Sequence, residues 1–262
     1  MPSVELFDTD ALGLRAENPS AFTLEGTNSW LVGRDPAVLI DPGPALDGHV
    51  QALVAHARAR GGLGAIVLTH DHIDHSEAVP ALRAAFPQAR LAAGRGDVDV
   101  RLEAGTRIGP LQAIFTPGHA PDHHAFAAGD VIFTGDAVLG WGSVFIAPDP
   151  GALTGYLQGL ERLRARAPRL LAPGHGPVVT DPAARIAEYV AHRMDRERRL
   201  IEALAAGART VDAMLDAAWP EVPEPLRPAA AVTLAAHLDK LADEGRLPAG
   251  VQRPEPIALR AP

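Results

Sequence analysis

The sequence predicts an α/β body followed by a small, mostly helical unit, and three observations carry that reading. Strand-sized apolar runs alternate with segments of helical period along most of the chain. Histidines and aspartates gather just beyond the ends of several of those runs, and the alternation stops near Gly207. With 262 residues, 47% of them hydrophobic, the chain can bury a full core and still supply an appendage. A catalytic domain over residues 1–207 and a C-terminal domain over 208–262 are therefore expected.

Ser29 to Val32 and Ala37 to Ile40 are β-rich runs joined by Gly33-Arg34-Asp35-Pro36, which has the composition of a hairpin loop. Leu46 to Arg60 carries apolar residues at helical spacing. After Gly61-Gly62, Ala65 to Thr69 is continuously apolar, as suits a strand buried on both faces, and it ends on His70. A helix from Ser76, as N-cap, to Phe86 comes next. Strands are expected over Leu111 to Phe115, Ala125 to Ala127 and Val131 to Thr134, then a helix over Gly151 to Ala165 and a strand over Arg169 to Ala172. A long charged helix spans Pro182 to Ala205.

Beyond it, Thr210 to Trp219 and Ala229 to Glu244 read as helices and Gly245 to Leu259 as a proline-rich wing, a pattern that resembles a winged-helix unit. Reading DNA would require its second helix to present Arg, Lys, Asn or Gln to bases or phosphates. That helix reads Ala-Ala-Ala-Val-Thr-Leu-Ala-Ala-His-Leu-Asp-Lys, so no DNA contact is expected, and packing or homodimerisation is its expected role.

Composition narrows the chemistry. Cysteine is absent, so any transition metal must be held by imidazole and carboxylate. No apolar run approaches the roughly 18 to 20 residues that span a bilayer, and Met1 to Asp8 lacks the pattern of an export signal, so a cytoplasmic protein without membrane contact is expected. Lys and Arg number 24 against 32 Asp and Glu, a net charge of −8 that disfavours general coating of nucleic acid. Between Glu161 and Arg209, ten arginines face six acids, but several alternate with Glu or Asp at helical spacing, as on an ordinary solvated face.

Thr69-His70-Asp71-His72-Ile73-Asp74-His75-Ser76 places three imidazoles and two carboxylates between a buried strand and a helix. In an extended loop, side chains two apart point the same way, so His70 and His72 can grip one cation. Three glycine-flanked strand ends add Thr116-Pro117-Gly118-His119, Thr134-Gly135-Asp136 and Ala172-Pro173-Gly174-His175. A lone histidine among these would carry little weight. Five histidines and two aspartates spread over four strand-to-loop junctions point to metal.

The order His-x-His-x-Asp-His, then Gly-His, Gly-Asp and Gly-His, resembles the metallo-beta-lactamase superfamily over roughly residues 20 to 180. The resemblance implies a four-layer αββα sandwich with two metals at one edge of its sheets. Carried over residue by residue, it puts the first metal on His70, His72 and His119, the second on Asp74, His75 and His175, and Asp136 between them. Zinc is the expected divalent ion, with manganese and iron suited to the same donors. A shared hydroxide is the expected nucleophile, its pKa brought from about 15.7 towards 7, and Asp74 is the catalytic residue that orients it and accepts its proton.

Phe22 to Asn28, His192-Arg193 with Arg196-Glu197, and the winged-helix-like tail resemble the beta-lactamase-like protein 2 family. His192 and Arg193 are read as substrate candidates or as polar residues of a charged helix. Asp41 either orients a ligating imidazole or starts a turn; His123 and His124 either meet substrate or pack at a strand start.

A hydrolase of a small ester, thioester or lactone is the first expectation. The retained His72 favours hydrolysis over the superfamily's redox chemistry, and the Asp136 motif and the lack of an export signal count against a true beta-lactamase. The alternative is an endoribonuclease for single-stranded RNA, which would need a basic groove and aromatic platforms in a chain with only 5% aromatic residues. A non-catalytic module is a third reading, against which the complete ligand set argues.

Overall fold

The computed structural model describes residues 2–6 and 9–254. Among them a seven-stranded sheet follows chain order: β1 (Ser3–Leu6), β2 (Ala11–Arg15), β3 (Asn28–Val32), β4 (Ala37–Ile40), β5 (Leu63–Val67), β6 (Arg90–Ala93) and β7 (Val100–Arg101). It is antiparallel through β4 and parallel from β4 onward. Parallel neighbours need crossovers, which α1 (Asp47–Ala59) provides after β4, and α2 (Ile73–Ser76) with α3 (Val79–Ala85) after β5. A second, five-stranded sheet is built from β8 (Arg107–Ile108), β9 (Leu111–Phe115), β10 (His124–Ala128), β11 (Val131–Gly135) and β12 (Leu170–Pro173), in the order β12-β11-β10-β9-β8. Helix α4 (Ala152–Ala165) makes the crossover between β11 and β12, and α5 (Pro182–Ala205) follows.

Strand alternation sorts the core into layers. Trp30 and Val32 of β3 turn towards the other sheet, where they meet Phe126, Val131 and Phe133; the Trp30 and Phe133 rings lie 5.6 Å apart. Leu31 between them faces the opposite way, against Leu53 of α1 and Leu82 of α3. On the far sheet, Ile132 turns outward to Leu153, Tyr156 and Leu160 of α4 and to Ile186 and Tyr189 of α5. Helices thus cover the outer face of each sheet, giving the expected αββα sandwich. Each fully buried large apolar side chain adds about 1.5–3 kcal/mol.

The C-terminal unit comprises α6 (Val211–Ala218), a 3-10 turn (Glu224–Leu226) and α7 (Arg227–Asp243). Thr210 caps α6 through Ala213 N, and Asp181 caps α5 through Ala184 N, as their sequences suggest. α5 serves both units, for Leu200 and Leu204 pack with Met214, Trp219 and Leu234. α7 is buried without a break from Ala230 to His237, and its Ala236 belongs to the α4–α5 core. A helix enclosed in this way cannot enter a DNA groove.

Some elements differ from expectation. The helix expected from Ser76 is two helices, and Ser76 ends the first instead of capping: its hydroxyl donates to the carbonyls of Asp71 and His72. Pro80 starts the second, where its missing N–H costs nothing. The expected strand to Thr69 ends at Val67, because Thr69 N–H turns to the Asp41 carboxylate. Residues 245–254 hold no strand of the expected wing, and 255–259 lie outside the described residues. Among the described residues, no helix is long and apolar enough to cross a membrane.

Candidate metal centre

Every side chain read as a ligand stands beyond the carboxyl end of a strand, at one edge of the sandwich: His70 to His75 after β5, His119 after β9, Asp136 after β11 and His175 after β12. They fall into two groups. His72 Nδ1 lies 2.9 Å from His70 Nε2 and 3.1 Å from His119 Nε2. His175 Nε2 lies 3.3 Å from both His75 Nε2 and Asp74 Oδ2. Asp136 stands between, with Oδ1 3.5 Å from the Nε2 atoms of His75 and His175, and Oδ2 3.5 Å from His119 Nε2. Within each group the donor atoms lie within 4.8 Å of one another.

The donors suit divalent cations. Ring nitrogens facing one another in a buried space need something positive between them, and Asp136 Oδ1 is buried without a hydrogen-bond donor. A sulfur-free set of imidazoles and carboxylates suits zinc, iron or manganese.

Electrostatics separate the two groups. Burial, reinforced by the neighbouring histidines, holds His70 well below the usual imidazole pKa; burial, partly opposed by Asp136, takes His119 down to about 4. Both rings are neutral and ready to donate lone pairs. In the second group burial also acts downward, but the charge of Asp136 raises His175 to about 9, and Asp74 with Asp136 raises His75. Burial pushes Asp136 upward, yet His175 and His75 outweigh it and hold the carboxyl well below its usual range. The carboxylates of this group thus retain protons on imidazoles where a cation would supply the same charge.

A second ring of contacts fixes the orientation of four histidines. His75 Nδ1 donates to Asp41 Oδ2 at 2.9 Å, and Thr69 donates to the same carboxylate through N and Oγ1, both at 2.7 Å. With its proton so placed, Thr69 Oγ1 accepts from His70 Nδ1 at 3.0 Å. His119 Nδ1 donates to the Phe145 carbonyl at 3.2 Å and His175 Nδ1 to the Gly26 carbonyl at 3.3 Å. Each bond sets the tautomer that leaves Nε2 facing the cluster. Asp41 combines both readings of its sequence, since it is the left-handed residue of a turn (φ +49°) and an acceptor for His75.

Sequence reasoning missed Thr69, Phe145 and Gly26. Two of them act through carbonyls, which every residue possesses, so only the fold could reveal them. Gly174 is required by proximity: a Cβ there would stand 2.8 Å from both Asp136 Oδ1 and His75 Cε1.

The other candidates separate by position. His123 is fully buried and does not line the cavity beside the cluster; its Nδ1 pairs with Thr116 Oγ1 and its Nε2 accepts from Asp136 N–H at 3.1 Å, so it braces the main chain at Asp136. His124 packs at the start of β10, with Nδ1 on the Asp122 carbonyl. His192 and Arg193 line a cavity of about 700 Å³ that opens beside His72, Asp74, His119 and Asp136. Arg193 is only 1% exposed, donates to the Val144 carbonyl and lies over the Tyr156 ring, so it also holds the loop after β11 in place. Arginines on the outer faces of α4 and α5 pair with acids, Arg164 with Glu161 and Arg198 with Asp195 and Glu202, as the solvated-face reading expects.

Two-sheet architecture and an edge cluster of this composition define a metal-dependent hydrolase. Residues 22–98 match the family described as the metallo-beta-lactamase superfamily, and residues 210–248 match the beta-lactamase associated winged helix domain. The chain is 31% identical to a beta-lactamase-like protein 2 homolog of Drosophila melanogaster, covering 94% of this chain and 92% of that one. It is 34% identical to an atrochrysone carboxyl ACP thioesterase of Aspergillus chevalieri, covering 86% and 78% respectively. The fold is also that of a beta-lactamase domain protein from Burkholderia ambifaria, with TM-score 0.79, 22% identity and coverage of 93% of this chain and 88% of the other. The chain belongs to the metallo-beta-lactamase superfamily, with a winged-helix unit of the kind associated with it.

Proposed function

We propose that the chain hydrolyses a small-molecule thioester, with simple esters and lactones as related substrates, at a pair of zinc ions. His70, His72 and His119 would hold one ion, Asp74, His75 and His175 the other, and Asp136 would touch both. The observation that carries this reading is that Asp136 stands 3.5 Å from histidines of both donor groups, and that both groups border a single cavity of about 700 Å³, a size that suits a small-molecule ligand. The relative named as a thioesterase favours acyl transfer to water within that class.

Bound cations would supply Lewis acidity and acidify a water enough for attack at neutral pH. The protein's own part is positioning and proton transfer. Asp74 lines the cavity; burial pushes its pKa up, but His75 and His175 outweigh this and keep it ionised, so its carboxylate can orient the attacking water and take its proton. His123 Nε2 accepts from the backbone N–H of Asp136 and so fixes the main chain from which its carboxylate projects.

Metal analysis of the purified protein, with a panel of N-acetylcysteamine thioesters, lactones, a phosphodiester, a beta-lactam and single-stranded RNA, tests the reading. Thioester cleavage that requires zinc is expected. Asp74→Ala and His119→Ala should keep the wild-type circular dichroism while losing at least one metal per chain and at least about a thousandfold in rate. Full activity in either variant defeats the mechanism. Zinc-dependent cleavage of RNA alone overturns the substrate class, and iron or manganese in the active protein overturns the choice of metal.

A further inference from the structure

Outside the donor set, one buried carboxylate has no use in the hydrolase reading. Asp122 lies in the loop that carries His119, with its side chain only 5% exposed, and neither carboxylate oxygen has a hydrogen-bond partner among the described residues. Buried carboxylates are ordinarily paired or hydrogen-bonded. The cation that faces this one is Arg95, whose Nε stands 3.6 Å from Asp122 Oδ1. Burial and the charge of Asp71 push the Asp122 carboxyl above its usual range, and Arg95, with a smaller pull from Arg101, acts against them.

Arg95 also grips a second carboxylate. Its Nε donates to Asp71 Oδ2 at 2.7 Å and its Nη2 donates to Asp71 Oδ1, a two-pronged contact. Asp71 stands between His70 and His72 in the chain, so holding its side chain holds the main chain from which both imidazoles project. Asp122 lies between His119 and His123, the brace of the main chain at Asp136. Arg95 itself follows β6, and the residue before it, Gly94, packs so closely on this loop that a Cβ there would stand 2.4 Å from the Asp122 carbonyl oxygen. One guanidinium thus joins the two loops that supply His70, His72 and His119, from a third loop that supplies no ligand. An exposed Arg–Asp pair alone contributes little, and Arg95 and Asp71 are 49% and 39% exposed. The burial of Asp122 gives the trio its weight: without the cation a carboxylate stays enclosed with no counter-charge, which the loop relieves by shifting it towards water.

We infer that Arg95 is a positioning residue for the metal centre: by pairing with Asp71 and Asp122 together, it sets His70 and His72 against His119 and so the affinity for the cation those three would hold. This deepens the two-metal reading and rests on it.

Zinc titration of the full chain against a chelating dye, with visible spectra of the cobalt(II)-loaded protein, tests the assignment. Neither measurement uses a substrate, so contacts of Arg95 with a ligand in the cavity do not enter. Arg95→Met should bind one of the two zinc ions at least about tenfold more weakly, weaken the other less, and shift the cobalt bands, with circular dichroism as in the wild type. Adding Asp122→Asn removes the stranded charge at nearly constant shape and should recover at least about threefold of that loss, which a defect of packing around residue 95 would not do. Arg95→Lys keeps a cation but no fork, so it should fall between Arg95→Met and the wild type, and it keeps the test decisive should Arg95→Met fail to fold. Wild-type affinities and cobalt bands in Arg95→Met, or in Arg95→Lys if only that variant folds, overturn the proposal, as does equal weakening of both ions. A double variant no better than Arg95→Met overturns the part given to Asp122. If the wild-type chain binds fewer than two divalent ions, the two-metal reading falls and takes this inference with it; two ions held equally well by wild type and variants defeat the role of Arg95 alone.

Discussion

At Asp41 the chain takes a left-handed turn, and the carboxylate receives three donors: Thr69 N, Thr69 Oγ1 and His75 Nδ1. Asparagine tolerates the same backbone conformation, so Asp41→Asn isolates the side chain's chemistry. Its amide offers one accepting oxygen to three donors and points its own N–H groups at some of them. Released from a fixed tautomer, His75 should bind metal less well. A loss of about 10–100-fold in affinity for one of the two metals is expected, read by competition with a chelating dye. Affinity equal to wild type would show that His75 needs no such support. Side chains with titratable or ligating chemistry were largely legible in the sequence, because His70, His72, Asp74, His75, His119, Asp136 and His175 each sit in a short motif with a physical reason. Their supports were less so: Asp41 could be read two ways, and the Phe145 and Gly26 carbonyls left no trace in residue type.

Among the elements, the loop after β11 links the catalytic body to the C-terminal unit. Its Phe145 carbonyl accepts from His119 Nδ1, and the next residue, Ile146, donates its N–H to Thr233 Oγ1 on α7 at 3.1 Å. Thr233→Val preserves shape while removing that acceptor, leaving a buried N–H unpaired at a cost of about 1–3 kcal/mol. The loop would then relax and His119 lose its fixed orientation. A fall of roughly tenfold in metal affinity is expected, with recovery in Thr233→Ser; chelator competition on the three proteins measures it, and a Thr233→Val protein that binds metal like wild type would sever the link. Sequence periodicity found α1, α4, α5 and α7 within a residue or two of their ends. It missed β1, β2 and the short β6 to β8, strands of only two to five residues in which charged residues, polar residues or glycine leave little apolar pattern. Pairing with neighbours, which no local pattern encodes, is what makes these segments strands.

For the molecule as a whole, the joint between its two units contains a titratable group with no use for charge. His237 of α7 is fully buried, packs edge-on to Trp219 at 5.6 Å, and has no hydrogen-bond partner at either ring nitrogen. Burial, together with the positive charges of Arg193, Lys240 and Arg196 and a contribution from His192, lowers its pKa to about 3; Glu197 Oε2, 4.0 Å away, is engaged with Lys240 and does not offset them. Well above pH 6.5 the ring is neutral in both folded and unfolded chains, so it contributes no pH dependence there. As pH falls below 6.5, the unfolded chain takes up a proton that the folded one refuses until about pH 3, and stability drops by about 1.4 kcal/mol per pH unit across that window. Protonation of metal ligands also costs stability in acid, so the comparison must cancel it. His237→Leu has no ring to titrate and keeps every ligand, so the difference in slope belongs to His237 alone. Urea unfolding of the two proteins between pH 6.5 and 5, under identical metal loading, should show the wild type losing stability more steeply by roughly that amount. Parallel slopes would mean that the ring takes up its proton in the folded state as readily as in the unfolded one, and that the packing of α7 against α5 is looser than this structure shows.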